Sequence, residues 1–376
     1  MKQNSLAQFA RDGGYVPLSW AGSTLAMDYI NIGDALSPVM VALLSGLDVQ
    51  RVATKSQTLR MACVGTIGHG FAGGDVYFWG TGASLWSNPS APPDQWKPFE
   101  IEPGSNFIVA ATRGPVSESI LTGGPEGTVG VYGDPVWLLP RFYRPAVEKK
   151  WKIGVIVHLS ELSDRDTEAH VKSELLRYRI PDELRDHVRI INTVSAIDIG
   201  GIRAKIDEIL ACERIVSTSL HGMVFAESYG IPSLHFPTGG AERGLGQRDL
   251  LQPNAPLDLR VVDLYRGLGQ THLDVYTQPR DVETDWTDLM DAIDRAWFPK
   301  QMDEQALIDA FPVDVNPLAA PAGQTIWDHP VLTGLVLQHD TVKLNRPAKQ
   351  AHEVREGTFR KILKKISPLS SQSRSG

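Results

Sequence analysis

Short, nearly uninterrupted apolar runs alternate with glycine-rich turns through the first 140 residues: VPLSW (16–20), MACVGTI (61–67), DVYFWG (75–80), FIVAAT (107–112) and GTVGVYG (127–133). Runs of this length, bounded by turn residues, predict strands buried on both faces. LSPVMVALLSG (36–46) instead repeats its apolar positions at three- and four-residue steps, and PVSESILTG (115–123) does so more briefly. Both predict helices. The charged, proline-containing RFYRPAVEKKW (141–151) breaks the pattern and reads as a linker. The alternation then restarts. KIGVIVHLS (152–160), VRIINT (188–193), RIVST (214–218) and IPSLHF (231–236) predict strands, interleaved with predicted helices at HVKSELLRY (170–178), GGIRAKIDEILACE (200–213) and GMVFAESYG (222–230). Strands and helices at this interval suit right-handed βαβ crossovers, so the fold class is α/β with parallel sheets. Six prolines between 299 and 347 predict irregular structure there, with an isolated helix or two and a mobile end.

A chain of 376 residues exceeds one ordinary core, so the pattern divides into domains at 1–145 and 150–300. Residues 301–376 form a C-terminal extension ending in a basic tail. Open parallel sheets bind ligands beyond the carboxyl ends of their strands, where the loops GTIGHGFAGG (65–74) and GTGASLW (80–86) fall. Two such sheets joined by a short linker imply a cleft between them.

Composition narrows the class. Apolar residues at 42% and charged residues at 22% are ordinary for a globular protein. Cys63 and Cys212 lie in apolar runs without a CxxC, which favours two buried thiols in a reducing compartment over a disulfide or a zinc site. The N-terminus has no apolar signal core, and nowhere do about eighteen apolar residues run together, so the expected location is cytoplasmic. The net charge of −7 hides an asymmetry: residues 341–376 carry nine Lys/Arg against two Glu, leaving the remainder at −14. An acidic body excludes the basic face that nucleic acid requires. The tail, with Arg360, Lys361, Lys364 and Lys365 around Ile362, Leu363 and Ile366, is either a peripheral contact for the anionic inner face of a membrane or a solvated end.

The stretch IVSTSLHGMVFAESYGIPSLHF (215–236) carries the most chemistry. Its predicted strand ends at Thr218, and Ser219, Leu220, His221 and Gly222 open a helix whose first N–H groups have no intrahelical partner. Such a start favours a carboxylate or phosphate, and an imidazole there can donate to the anion or exchange a proton. Ser219 as a plain cap and His221 as a packing residue is the alternative. Asn31, Gly33 and Asp34 in NIGDAL cap a helix or accept bonds from sugar hydroxyls. Arg113 in TRGP follows a strand and suits bidentate pairing with an anion, or a surface ion pair. Asp134 in YGDP is a turn signal, and His158 ends a strand. No GxxxxGK[ST], HExxH, GxSxG or clean GxGxxG occurs, and no spacing identifies metal ligands.

Taken together, NIGDAL, VGTIGHG, FWGTG, TRGPVSESIL, YGDPVWLLP, KIGVIVH and ERIVSTSLHGMVFAESYGIPSLHF resemble the polysaccharide pyruvyl transferase family, in its bacterial exopolysaccharide branch. The resemblance spans about residues 28–240. It implies two Rossmann-like domains facing a cleft, GT-B-like, with the acceptor side at 1–145 and the donor side at 150–300. It further implies transfer of the enolpyruvyl unit of phosphoenolpyruvate to a sugar diol of a polysaccharide or its lipid-linked repeat unit, forming a ketal and releasing phosphate. The family's histidine falls on His221, expected to act as acid or to bind the leaving phosphate, and its donor-binding arginine on Arg113, these two being the expected catalytic residues; Arg243 or Arg248 in GGAERGLGQRD are candidates for a further basic residue. Thr218, Ser219, Leu220, Gly222 and His158 complete the expected donor site, with Asn31, Gly33, Asp34, Gly80 and Gly82 toward the acceptor. The scheme needs no metal and no resident cofactor, phosphoenolpyruvate being a co-substrate. Two other functions fit the same features: a GT-B glycosyltransferase using a nucleotide sugar, and a non-catalytic carbohydrate or sugar-phosphate binding protein.

Overall fold

The computed structural model describes residues 5–252 and 257–345. In chain order its strands are β1 (Tyr15–Ser19), β2 (Ser23–Thr24), β3 (Ile30–Asn31), β4 (Asp48–Arg51), β5 (Arg60–Ala62), β6 (Gly74–Phe78), β7 (Ser105–Val109), β8 (Ile153–Val157), β9 (Val188–Asn192), β10 (Val194–Ser195), β11 (Ile215–Ser217), β12 (Ser233–His235), β13 (Gly244–Asp249), β14 (His272–Thr277) and β15 (Gln338–His339). The longer helices are α1 (Leu6–Gly13), α2 (Ile32–Ser45), α3 (Pro115–Thr122), α4 (Ile199–Leu210), α5 (Leu220–Ser228), α6 (Leu259–Gly267) and α7 (Trp286–Ala296), followed by the short α8 (Glu304–Asp309). The α/β expectation is borne out. One sheet has the order β4-β1-β5-β6-β7 and is wholly parallel; the other runs β13-β14-β12-β11-β8-β9 and is parallel except at its β13 edge.

Helix α2 is the centre of the first half. Asn31 caps it, its side-chain oxygen accepting from the N–H groups of Gly33 (3.0 Å) and Asp34 (3.4 Å). Thirteen of its fourteen residues are buried, as a helix apolar on every side must be. The cap also joins the two halves: Asn31 and Ile30 pair antiparallel with Val194 and Ser195, and the Ile32 N–H donates to the Thr193 carbonyl at 2.9 Å. One apolar cluster consequently runs from Val16, Leu36 and Met40 through to Ile206, Phe225 and Leu264.

Two predicted elements take another form, and one strand was not predicted. HVKSELLRY is not an α-helix; only Leu176–Tyr178 makes a single 3₁₀ turn. Its local propensity yields to Arg177, which is buried over the Phe236 ring at 3.6 Å and donates to the Pro237 carbonyl at 2.8 Å. GTVGVYG is a loop rather than a strand, because Gly127 (φ 82°) and Gly130 (φ 71°) turn the chain left-handed. The Glu118 carboxylate gathers this loop, accepting from the N–H of Val129 at 2.6 Å and the Tyr132 hydroxyl at 2.5 Å. β13, antiparallel to β14 and inside GGAERGLGQRD, escaped notice because glycine and charge obscure its alternation.

The proline-rich end, expected to be loose, straps back onto the first half as far as residue 345. Asn316 and Leu318 donate to the carbonyls of Leu44 and Leu43 at 2.8 Å each, and Trp79 Nε1 donates to the Leu307 carbonyl at 2.7 Å. Phe311 meets the Trp79 ring edge-to-face with centroids 4.8 Å apart. The basic residues proposed to touch a membrane lie outside the described residues, and no described helix is long and apolar enough to cross one. Cys63 and Cys212 are buried and free. Truncating Phe311 to alanine is expected to cost about 3 kcal/mol in urea unfolding through cavity formation; a loss below about 0.5 kcal/mol would show that this strap does not share the core.

Candidate functional site

β8 and β11 end side by side, and their carboxyl ends deliver His158 and the turn Thr218–Ser219 to the same place. The Thr218 hydroxyl accepts from the His158 N–H at 2.8 Å and ties the two strand ends together. α5 begins there with no side chain capping its first turn. From the first half, the start of α2 and the loop after β5 close over the same point. The result is a cavity of about 230 Å³ lined from one side by Asn31, Asp34 and Thr66 and from the other by His158, Ser219, His221 and Arg260.

His221 is held tightly. A β-carbon on Gly33 would fall 1.9 Å from Nδ1 of the imidazole, so α2 presents a glycine at the one position where the ring lies against it. On its other side Nε2 stands 3.9 Å from Asp134 Oδ2 and has no hydrogen-bond partner among the described residues. Burial, reinforced by Arg113 and Arg260, pushes the imidazole pKa down to about 3. The nearby acids move the other way. Burial raises Asp34 to about 7 against the pull of Arg260, with Asp134 adding to the rise. Burial also raises Asp134 to about 6, although it accepts from the Val136 N–H and feels Arg113. A neutral imidazole and a carboxyl poised near neutrality therefore share one small cavity. That combination suits proton transfer.

The predicted arginines separate. Arg113 is almost fully buried and spent on protein groups: Nε and Nη2 each stand 3.2 Å from Asp263 Oδ2, and Nη1 donates to the Thr66 hydroxyl at 2.7 Å. It backs the cavity through Thr66 and does not line it. Asp263 is completed by the Ser117 N–H (3.0 Å) and hydroxyl (2.5 Å). Arg243 pairs with Asp285 at 3.3 Å, away from the cleft. Arg248 does face it, in a second cavity of about 540 Å³ with Thr218, His235, Gly239 and Gly240.

The residue that meets the whole cleft is Arg260, which the motifs did not indicate. It borders this cavity, the 230 Å³ one and a third of about 580 Å³, as does His158. Asp258 caps α6 and grips the Arg260 guanidinium at 2.5 Å, fixing its direction. The capping aspartate two residues ahead was the available signal, in LDLRVV. Asp134 was visible only as a turn and Thr66 only as part of a glycine-rich loop.

Four of the expected glycines act by leaving room and line none of the three cavities. Gly33 accommodates His221, and Gly82 lies against the Arg113 guanidinium, where a β-carbon would come within 2.3 Å. Gly80 turns at φ 70° against Pro135, and Gly222 packs on Ser217 and Ile156. Asn31, Asp34, Ser219, Leu220, His158 and His221 do come together, and Thr218 lies beside them.

Residues 104–240 match the polysaccharide pyruvyl transferase family model. The match bears out the family resemblance of the motifs. No curated protein and no solved structure matches the chain. The matched segment contains Arg113, Asp134, His158 and His221, whereas Asn31, Asp34, Thr66 and Arg260 lie outside it. Half of the cavity wall therefore rests on geometry alone.

The two shifted groups oppose each other in stability. Asp34, raised from 3.8 to about 7, contributes stability below pH 3.8 that is lost as pH rises through 7. His221, lowered from 6.5 to about 3, contributes stability above pH 6.5 that is lost as pH falls through 3. Asp34→Asn removes the first effect only. Relative to the wild type, its unfolding free energy is expected to rise by on the order of 3 kcal/mol between about pH 4.5 and about pH 7.5. Parallel pH curves for the two proteins would show that Asp34 titrates normally.

Proposed function

We propose that the cleft transfers the pyruvyl unit of phosphoenolpyruvate onto two hydroxyls of a polysaccharide or its lipid-linked repeat unit, as a ketal, releasing phosphate. The family match supplies the reaction class, and the meeting of Asp34, His221 and Arg260 in one cavity carries the reading. The donor bears a carboxylate and a phosphate, so it needs cationic and N–H donors at close range. Arg260 and the uncapped start of α5 provide both. Arg113 acts behind them as a positioning residue. The same reading places the acceptor on the 1–145 side and the donor on the 150–300 side of a GT-B-like pair.

The chemistry needs a proton at the methylene carbon. Asp34, with a pKa of about 7, supplies it more readily than His221, which burial keeps neutral. As that C–H bond forms, the first sugar hydroxyl bonds to the central carbon and its proton returns to the Asp34 carboxylate. The bond from that carbon to the phosphate oxygen then breaks. The second hydroxyl bonds in its place, and its proton leaves with the phosphate as hydrogen phosphate. The neutral imidazole of His221 donates to the departing phosphate, whose charge opposes the depression of the imidazole pKa.

Incubating the protein with phosphoenolpyruvate and lipid-linked oligosaccharides is expected to add the pyruvyl mass increment and release phosphate. Release of nucleoside diphosphate from a sugar nucleotide instead would identify a glycosyltransferase. Asp34→Asn and His221→Ala are each expected to lose about 10²-fold or more in kcat while folding normally. Turnover near wild type in both variants would remove these two residues from the reaction.

A further inference from the structure

The largest of the three cavities, about 580 Å³, has an unused feature: the loop between β6 and β7 stacks Trp86 on Trp96, with centroids 5.3 Å apart and planes at 26°. Apolar side chains exposed side by side at the rim of a cavity, unlike singly scattered ones, mark an interaction surface. Here Trp96 is 38% exposed and neighbouring Leu85 50% exposed. The loop is not loosely held. Trp86 bridges Pro98 antiparallel, Ser87 N–H donates to the Lys97 carbonyl and Phe99 N–H to the Leu85 carbonyl at 2.8 Å each, and Trp96 Nε1 donates to the Ala91 carbonyl at 2.9 Å. Its bonds fix the indoles in place, and the imidazole of His69 holds the loop's base by accepting from the Ser84 N–H at 3.2 Å.

The rest of the lining tells what such a platform would hold. Ser84, Ser90, Thr66 and His69 offer neutral hydrogen-bonding groups around the indoles. Among the described lining residues Arg260 is the one permanent cation, at the end shared with the catalytic cavity, where Asp258 already grips it. A phosphate-bearing ligand would be poorly served along the wall of the platform. A neutral saccharide is well served: one face of its ring carries C–H groups that pack on an indole, while its rim carries hydroxyls. The cavity passes through Thr66, His158 and Arg260 into the site that holds Asp34 and His221.

We infer that Trp86 and Trp96 form a saccharide subsite that binds a neutral sugar ring of the acceptor next to the ring being modified. This rests on reading the cleft as one that modifies a glycan. It makes the loop at 84–98 the part of the chain that selects for a chain of sugars over a single one.

The test is a printed array of neutral glucose-, galactose- and mannose-containing oligosaccharides, probed with the full chain and without phosphoenolpyruvate. Wild-type protein is expected to be retained on at least one, and Trp86→Ala and Trp96→Ala to weaken that retention about tenfold, the factor that loss of about 1.4 kcal/mol of aromatic contact produces. Trp96→Phe, which keeps a flat ring, is expected to recover most of it and controls for disruption of the loop. Retention of no oligosaccharide, or equal retention by wild type and both alanine variants, overturns the subsite. Because no donor is present, failed transfer chemistry leaves this readout intact, and failed retention leaves the transfer assay intact.

Discussion

The buried ion pair between Arg113 and Asp263 sets the geometry on which the cleft depends. It joins the start of α3 to α6, and through Thr66 it also holds the loop that covers the cavity shared by Asp34 and His221. An ion pair this deep contributes little over an apolar contact of the same shape, but removing one partner leaves a buried charge alone at a cost of about 3–5 kcal/mol. Its consequence is therefore one of placement. With α6 fixed against α3, Arg260 near the start of α6 faces the start of α5, and the α2 capping segment, bonded to β10, brings Asp34 alongside His221.

Electrostatics at that point follow from the same burial. Two carboxyl groups and an imidazole lie close together, and each is driven toward its neutral form. The two nearby arginines are each paired with an aspartate, and both still help to depress the His221 imidazole pKa, so some positive potential reaches the cavity. The cleft is thus prepared for an anion that brings its own negative charge and for a proton that has to move.

Much of this was legible in the chain. Continuous apolar runs announced buried parallel strands, and the hydroxyl-histidine-glycine turn after Ile215–Ser217 announced a helix start with unpaired N–H groups. What local reading could not supply was partnership across the sequence. Arg113 reads as a cleft arginine until Asp263, 150 positions away, is seen to occupy it. Gly33 reads as a turn glycine until His221 is found against it, and Arg260 reads as an ordinary helix residue until three cavities meet at its side chain. The predicted helix at 170–178 failed for the same reason, since Arg177 is placed by Phe236 and Pro237. Periodicity reports what a segment buries; it does not report which distant side chain it buries against.

The most direct measurement of the central claim is a crystal structure of the protein with phosphoenolpyruvate bound. The account predicts its two anionic groups within hydrogen-bonding distance of the Arg260 guanidinium and the His221 imidazole, with the methylene carbon toward Asp34. Phosphoenolpyruvate seated elsewhere on the molecule, with this cavity holding only solvent, would contradict it.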